Sequence, residues 1–317
     1  MSKNIRLTLR CVIFLLLFAV FMILLSYLFL PKSGSVNYRI SDMAAYGIDE
    51  EPVSSIDVLI VGDSLSYSAF SPMCMWEEKG FTSYVCATSG QFLFDTYDFV
   101  LNTFKTQKPK VVVLETNAFF RKFNLNNYIA AKVARKVPII KYHNRWKMIR
   151  LSDFGGTIAN DTQCAYKGYI PNKEVQAAKD TDYMKLSKEV REIPELNKDC
   201  LKDIIELCKQ HDTKLILVSA PSLTNYNYKK HNSIAKFAKT NDITYIDMNL
   251  ENEAIQIDWK TNTRDKGDHL NIEGATKVST YLGEFLDEEF DLPDHRTDAN
   301  YEEWNEKLSL YKEYISK

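Results

Sequence analysis

The segment VLIVGDSLSYSAFSP, residues 58–72, decides the fold class, because an apolar run stops abruptly at a glycine and a polar turn. Val58–Val61 predicts a short strand buried on both faces, as in a parallel sheet. Asp63 and Ser64 then follow Gly62 where the strand passes into the next element, and open α/β sheets bind their ligands at that carboxyl edge. Ser64 is therefore a candidate nucleophile, although Asp and Ser are equally typical of a plain helix N-cap.

Further strand and helix patterns alternate along the chain. Buried-strand candidates recur at Lys110–Leu114, Lys214–Ser219 and Ile243–Asp247. Residues 197–214 and 271–290 carry apolar side chains at helical spacing, and each helical pattern has polar residues at its start that can cap it. This alternation predicts an α/β fold with a mainly parallel sheet.

The N-terminus predicts a membrane-spanning helix. Cys11–Leu30 contains 20 residues without a charge and follows Lys3, Arg6 and Arg10, which is long enough to cross a bilayer. It ends in Tyr-Leu-Phe-Leu-Pro-Lys rather than in the small residues of a cleavage site, so we expect an anchor instead of a cleaved signal peptide. The basic residues favour a cytoplasmic N-terminus, which places residues 32–317 outside the cytoplasm on a single-pass protein of the cell membrane.

Composition shifts predict the domain boundaries. We expect a cytoplasmic tip and anchor over residues 1–31, a linker over 32–55, a catalytic domain over 56–290 with an insertion at about 118–195 above the active face of the sheet, and a C-terminal amphipathic helix over 291–317 packed on the domain.

Charge and cysteine content exclude several classes of protein. The 317 residues carry a formal net charge of −2, which gives no electrostatic case for nucleic-acid binding. Five of the six cysteines lie beyond the apolar span; this odd number precludes complete pairing within one chain and leaves a Cys74–Cys86 bridge open. Neither the cysteines nor the five histidines show metal-ligand spacing, so we expect no metal and no cofactor.

A serine nucleophile needs a base, and the base needs an orienting carboxylate. The segment TRDKGDHLNIEG, residues 263–274, supplies His269 with Asp265 and Asp268 beside it. A histidine at the start of a helix is also typical of a cap or a surface group.

The oxyanion formed by attack on a carbonyl needs hydrogen-bond donors. The candidates are the N–H of Ser64, the N–H of Gly90 in CATSGQ and the side-chain amide of Asn117 in VVVLETNAF. Taken singly, Gly90 and Asn117 are also ordinary turn residues.

Together these blocks, in this order, resemble the SGNH (GDSL-like) hydrolase superfamily over residues 56–120 and 212–290. The resemblance implies a three-layer α/β/α, flavodoxin-like fold with Ser64 as nucleophile and His269 as base. Ser64, Gly90 and Asn117 would form the oxyanion hole. In the family the aspartate stands three residues before the histidine, where this chain has Lys266, so both Asp265 and Asp268 stay open as the orienting residue.

With its N-terminal span, the chain further resembles the membrane-anchored accessory proteins of cell-envelope acylation, among them the D-alanyl transfer protein of the teichoic acid system and alginate-type O-acetyltransferases. This resemblance implies an acyl-Ser64 intermediate that passes an acetyl or D-alanyl group to a hydroxyl of an envelope polymer such as teichoic acid or exopolysaccharide. A multi-pass membrane-bound O-acyltransferase would be the acyl donor. An esterase or deacetylase of envelope glycans and an inactive scaffold or binding protein remain alternatives.

The middle of the chain offers a candidate acceptor groove. Tyr142, His143, Arg145 and Trp146 mix cations with aromatic rings, and Lys167–Tyr169 is a weaker candidate of the same kind. A solvated basic helix face is an equally good interpretation of this composition.

Overall fold

The computed structural model of the chain describes residues 3–29, 44–137, 139, 146, 149, 166–179 and 182–317. The chain divides into two compact units, the first comprising Met1–Tyr38 with Phe123–Asp161 and the second Arg39–Lys122 with Thr162–Lys317. Most of the candidate site residues, from Ser64 to His269, belong to the second unit.

The helices and strands follow one another in the order α1 (Lys3–Phe29), β1 (Val58–Gly62), α2 (Ser64–Ala69), α3 (Pro72–Lys79), β2 (Ser83–Ala87), α4 (Leu93–Thr103), β3 (Val111–Glu115), α5 (Leu125–Lys136), α6 (Glu195–Gln210), β4 (Lys214–Ser219), α7 (Tyr228–Asn241), β5 (Thr244–Asp247), α8 (Asn252–Ile255), α9 (Ile272–Phe290) and α10 (Glu302–Ser316). Short 3₁₀ turns lie at Gly47–Glu50, Asn117–Phe120 and Ala299–Tyr301.

Two of these helices, α1 and α5, lie in the first unit. Helix α1 contains the apolar segment Asn4–Ser26, in which an 18-residue window has a mean hydropathy of 2.8 and no buried residue. This helix is long and apolar enough to cross a membrane, as an anchor or as a signal sequence.

The second unit is built on one parallel sheet in the order β2-β1-β3-β4-β5. This is the strand order of flavodoxin-like folds, so the predicted fold class is confirmed. Strand β2 was not among the predicted strand runs, because Ser83–Ala87 lacks the unbroken run of large aliphatic residues found in β1 and β3.

Both faces of the sheet are covered, which explains why β1 and β3 are apolar without alternation. On one face Val58, Ile60 and Val113 belong to a core that also takes in side chains of α2, α3 and α9. Helix α4 packs against β1 and β2, and against α6. All residues of β1, β2 and β3 are buried.

Within the second unit, the C-terminal segment packs on the rest of the unit through helix α10. Trp304 and Tyr311 are its buried side chains, and the Trp304 ring lies 5.1 Å from that of Trp76 on α3. Lys167 lies 4.6 Å from the Trp304 ring and pairs with Glu51 at 2.7 Å. Because Lys167 is fully buried, the prediction that Lys167–Tyr169 helps to form an exposed acceptor groove is wrong.

Residues 166–179, which we predicted as part of an insertion, lie in the second unit and run beside the loop that carries Asp265 and His269. The Gln176 N–H donates to the Thr263 carbonyl at 3.0 Å, and the Lys266 N–H donates to the Gln176 carbonyl at 2.9 Å. This irregular segment therefore braces the loop from its outer side.

Cys74 and Cys86 are free thiols and do not bridge. Both are buried, and burial raises the pKa of each thiol. They are small core residues with little thiolate character. Cys164 lies outside the described residues.

Candidate active site

Ser64 occupies an unusual position in its surroundings. Every residue from Val58 to Trp76 is buried except Ser64, which is half-buried. It is the first residue of α2, and the Asp63 side chain caps that helix by accepting the Leu65 N–H at 3.0 Å. The strand-to-helix turn thus presents the Ser64 side chain at the carboxyl edge of the sheet.

His269 is paired with Asp265. One oxygen of Asp265 accepts the His269 backbone N–H at 2.6 Å, and the other lies 2.7 Å from His269 Nδ1. The nearest Asp268 oxygen lies 3.6 Å from the same ring nitrogen, and the second Asp268 oxygen accepts from Thr224 at 2.9 Å. Of the two candidate orienting residues, Asp265 is the one whose geometry fits.

Asp265 stands four residues before His269, and the loop between them curls. Lys266 and Gly267 have φ angles of 66° and 97°, in the left-handed region that glycine adopts without strain. Thr263 Oγ1 closes the loop, since it accepts the Gly267 N–H at 2.7 Å and donates to the His269 carbonyl at 3.0 Å. This curl brings a carboxylate four residues before the histidine into contact with the imidazole.

The electrostatics of the pair suit a general base. Burial disfavours ionisation of Asp265, but the hydrogen bonds from His269 outweigh it and lower the pKa of Asp265. An ionised Asp265 holds the proton on His269 Nδ1 and leaves the lone pair on Nε2. His269 Nε2 is buried and has no hydrogen-bond partner among the described residues, so this atom is available to take a proton from a nucleophile.

The three candidate oxyanion donors sit at ends of neighbouring strands. Within the described parts of the chain, no backbone carbonyl accepts the N–H of Ser64 or of Gly90. Gly90 has a φ of 66°, a left-handed conformation that glycine adopts without strain. Asn117 Nδ2 donates to Asp63 at 2.9 Å, which engages one of the two N–H groups of the amide.

A charged cluster that the sequence did not reveal lies behind Asn117. Asp63 is fully buried and accepts from Arg121 Nη2 at 2.8 Å as well as from Asn117. Glu115, also fully buried, accepts the Asn117 backbone N–H at 3.0 Å. Lys230 reaches Asn117 Oδ1 at 3.3 Å from helix α7.

Two members of this cluster, Glu115 and Lys230, have shifted pKa values. Burial, together with the charge of Asp63, raises the pKa of Glu115 to about 8. Burial, together with the charge of Arg191, lowers the pKa of Lys230 to about 8. Charged residues are usually exposed to solvent, so the sequence offered no reason to expect Glu115, Arg121 or Lys230 in a buried cluster. Only Asp63 stood out, because it lies within Gly-Asp-Ser.

Asp265, Asp268 and His269 also have metal-binding atoms within 4.8 Å of one another. Both oxygens of Asp265 and one of Asp268 already accept hydrogen bonds from the protein. These groups are therefore accounted for without an ion.

Of the predicted acceptor-groove residues, Tyr142, His143 and Arg145 lie outside the described residues. Trp146 is 63% exposed and belongs to the first unit. Their role in binding stays a prediction.

No protein-family model matches the chain, and no curated protein sequence matches it. Among solved structures, it is similar to a GDSL-like lipase from Bacteroides thetaiotaomicron, with 12% identity over 79% of this chain and 99% of that one and a TM-score of 0.39. It is also similar to an acetyl xylan esterase, with 16% identity over 72% of this chain and 99% of that one and a TM-score of 0.38.

Proposed function

We propose that the chain is an SGNH-type serine acyltransferase, which moves an acyl group through an acyl-Ser64 intermediate to a hydroxyl acceptor. The observation that carries this proposal is the Asp265–His269 pair at 2.7 Å, whose outer ring nitrogen is buried and unpaired among the described residues. A histidine oriented by a carboxylate, with its outer nitrogen unpaired, can act as the base for a hydroxyl nucleophile, and the proposal assigns that role to Ser64.

In the first half-reaction, Ser64 Oγ attacks the carbonyl carbon of the donor while His269 Nε2 takes the hydroxyl proton. Asp265 stabilises the imidazolium that forms. The carbonyl oxygen becomes an oxyanion, which the N–H groups of Ser64, Gly90 and Asn117 Nδ2 stabilise. Collapse breaks the bond to the leaving group, which receives the proton from His269.

In the second half-reaction, an acceptor hydroxyl attacks acyl-Ser64 and gives its proton to His269 Nε2. The same oxyanion donors stabilise the second tetrahedral intermediate, and its collapse returns the proton to Ser64 Oγ. Water and a polymer hydroxyl use the same residues, so the acceptor is decided by which molecule reaches the acyl-enzyme.

The acceptor in this proposal is an envelope polymer such as teichoic acid or exopolysaccharide, and the acyl group is acetyl or D-alanyl. The apolar helix α1 supports this assignment, since it can hold the enzyme at a membrane. With a cytoplasmic N-terminus, the second unit lies outside the cytoplasm. A multi-pass membrane-bound O-acyltransferase would then supply the acyl group at the outer surface.

Esterase activity toward acylated envelope glycans is the second candidate function. The side chains of Asp265 and Asp268 are 36% and 41% exposed beside His269, so water reaches the carboxylates next to the proposed base. A scaffold without catalysis would not depend on Ser64 at all.

The test is a partition experiment on the full-length chain in detergent. 4-Nitrophenyl acetate serves as donor and glycerol at increasing concentration serves as acceptor, with Ser64→Ala as control. We expect acetylglycerol to form at the expense of free acetate, and only with Ser64. Free acetate alone, undiminished by glycerol, supports the esterase; no Ser64-dependent product supports the scaffold.

A further inference from the structure

Lys230 is a buried cation in a place that does not favour one. It is the third residue of helix α7 and is 6% exposed. The first turn of a helix repels positive charge, and burial of an ammonium costs several kcal/mol unless it is well compensated. A residue kept in such a position calls for a role other than packing.

The contacts of Lys230 point at the oxyanion hole. Its Nζ donates to Asn117 Oδ1 at 3.3 Å and to the Asn225 carbonyl. It also lies 5.2 Å from the centre of the Phe120 ring. The ammonium therefore donates to two neutral oxygens and lies over a ring face, and one of those oxygens belongs to a candidate catalytic amide.

Asn117 is held from both ends as a result. Lys230 donates to its oxygen, while its nitrogen donates to the Asp63 carboxylate at 2.9 Å. An amide rotated by 180° would set its N–H groups against the ammonium and its oxygen against the carboxylate. The two charges thus permit only one orientation of the amide.

We propose that Lys230 is a positioning residue that holds the Asn117 amide with its free N–H toward the acyl oxygen. The hydrogen bond from a cation to the amide oxygen also draws electron density from the nitrogen, which makes the remaining N–H a stronger donor. This inference rests on the proposed function, since it assigns Lys230 a part in the same oxyanion hole.

The charged groups around Lys230 are Arg191, Arg121, Asp63 and Glu115. Burial and the two arginines disfavour its protonated form, whereas the two carboxyl groups favour it. With a pKa lowered to about 8, Lys230 is mostly charged at neutral pH.

The experiment is a double-mutant cycle on the full-length chain in detergent at pH 7, with 4-nitrophenyl acetate as substrate. The variants are Lys230→Met, Asn117→Ala and the double variant, with Lys229→Met as the matched control, because Lys229 is a half-exposed neighbour that pairs with Glu189. Thermal unfolding establishes that each variant is folded, and Lys230→Arg tests whether the charge alone restores the rate.

We expect Lys230→Met to lower kcat about tenfold or more with little change in KM, because the loss affects transition-state stabilisation. In the Asn117→Ala background the same substitution should change kcat less than about twofold. Equal losses in both backgrounds, or a folded Lys230→Met protein with unchanged kcat, overturn the role of Lys230 alone. If Ser64→Ala hydrolyses the substrate as fast as the wild-type protein, the proposed function is overturned, and this inference with it.

Discussion

In the proposed mechanism the chemistry depends on Ser64 and His269, and Asp265 orients His269. Both Asp265 oxygens are used by His269, at 2.6 and 2.7 Å. A neutral amide at this position would present its NH₂ group to the ring and favour the wrong tautomer.

We therefore predict that Asp265→Asn lowers kcat by about 10²- to 10⁴-fold, while Asp268→Asn lowers it by only a few-fold. Steady-state hydrolysis of 4-nitrophenyl acetate by the two purified variants measures the ranking. Asp268 is the matched control, since its nearest oxygen lies 3.6 Å from the same nitrogen. The opposite ranking would show that Asp268 orients the base.

The raised pKa of Glu115 implies that the stability of the fold depends on pH. Its pKa is raised from 4.5 to about 8, first by burial and then by the charge of Asp63, while Lys230 opposes the shift. Between pH 4.5 and about 8 the folded protein keeps a proton that the unfolded chain releases, so the free energy of unfolding falls as pH rises through this window.

Glu115→Gln removes this titration. Relative to wild type, the variant should gain stability steadily from pH 5 to pH 8, by several degrees in Tm. Thermal unfolding at a series of pH values measures the difference. A constant difference in Tm across the window would mean that Glu115 does not titrate there.

At the residue scale, sequence reasoning could find the groups that carry chemistry but not those that hold them. Ser64 and His269 stood out because each lies beside residues of the right chemical type. Arg121, Glu115 and Lys230 did not, because only the tertiary fold brings these charges together near Asn117 and buries Glu115 and Lys230.

The loop from Thr263 to His269 is the element that most directly controls the site. A Cβ added to Gly267 would lie 2.4 Å from Leu223 Cδ1 and 2.7 Å from Leu223 Cβ, at a φ of 97°. The loop cannot keep its curl with a larger residue there.

Gly267→Ala should therefore shift Asp265 away from His269 and lower kcat about tenfold or more, with a modest loss of stability. Gly283→Ala is the control, because its added Cβ would meet Met75 Cγ at an ordinary 3.5 Å within helix α9. Kinetics and thermal unfolding of both variants give the comparison. Equal, small effects would show that the curl is not needed.

Elements with a strong local pattern were predictable and the others were not. Strand β4 was predicted as Lys214–Ser219 and has those bounds, and helix α9 was expected over 271–290 and spans Ile272–Phe290. Strand β2 was missed because Ser83–Ala87 has neither an unbroken run of large aliphatic residues nor a strict alternation of polar and apolar residues. The curl at Lys266 and Gly267 depends on Thr263 and Leu223, which no local rule connects to them.

At the scale of the whole molecule, a parallel α/β unit carries the candidate site, and an apolar helix belongs to a separate unit. The layered architecture follows from the buried apolar strands, which must be covered by helices on both faces. Neither the sheet nor the apolar helix identifies the substrate, because acyl transfer and hydrolysis would use the same residues.

The most direct measurement is intact-mass spectrometry of the full-length chain in detergent after treatment with a fluorophosphonate, which reacts with activated serines. We predict a single adduct on the wild-type protein, no adduct on Ser64→Ala and a strongly slowed reaction for His269→Ala. A wild-type protein that stays unlabelled, or a Ser64→Ala protein labelled as fast as wild type, would contradict the assignment of Ser64 as the nucleophile.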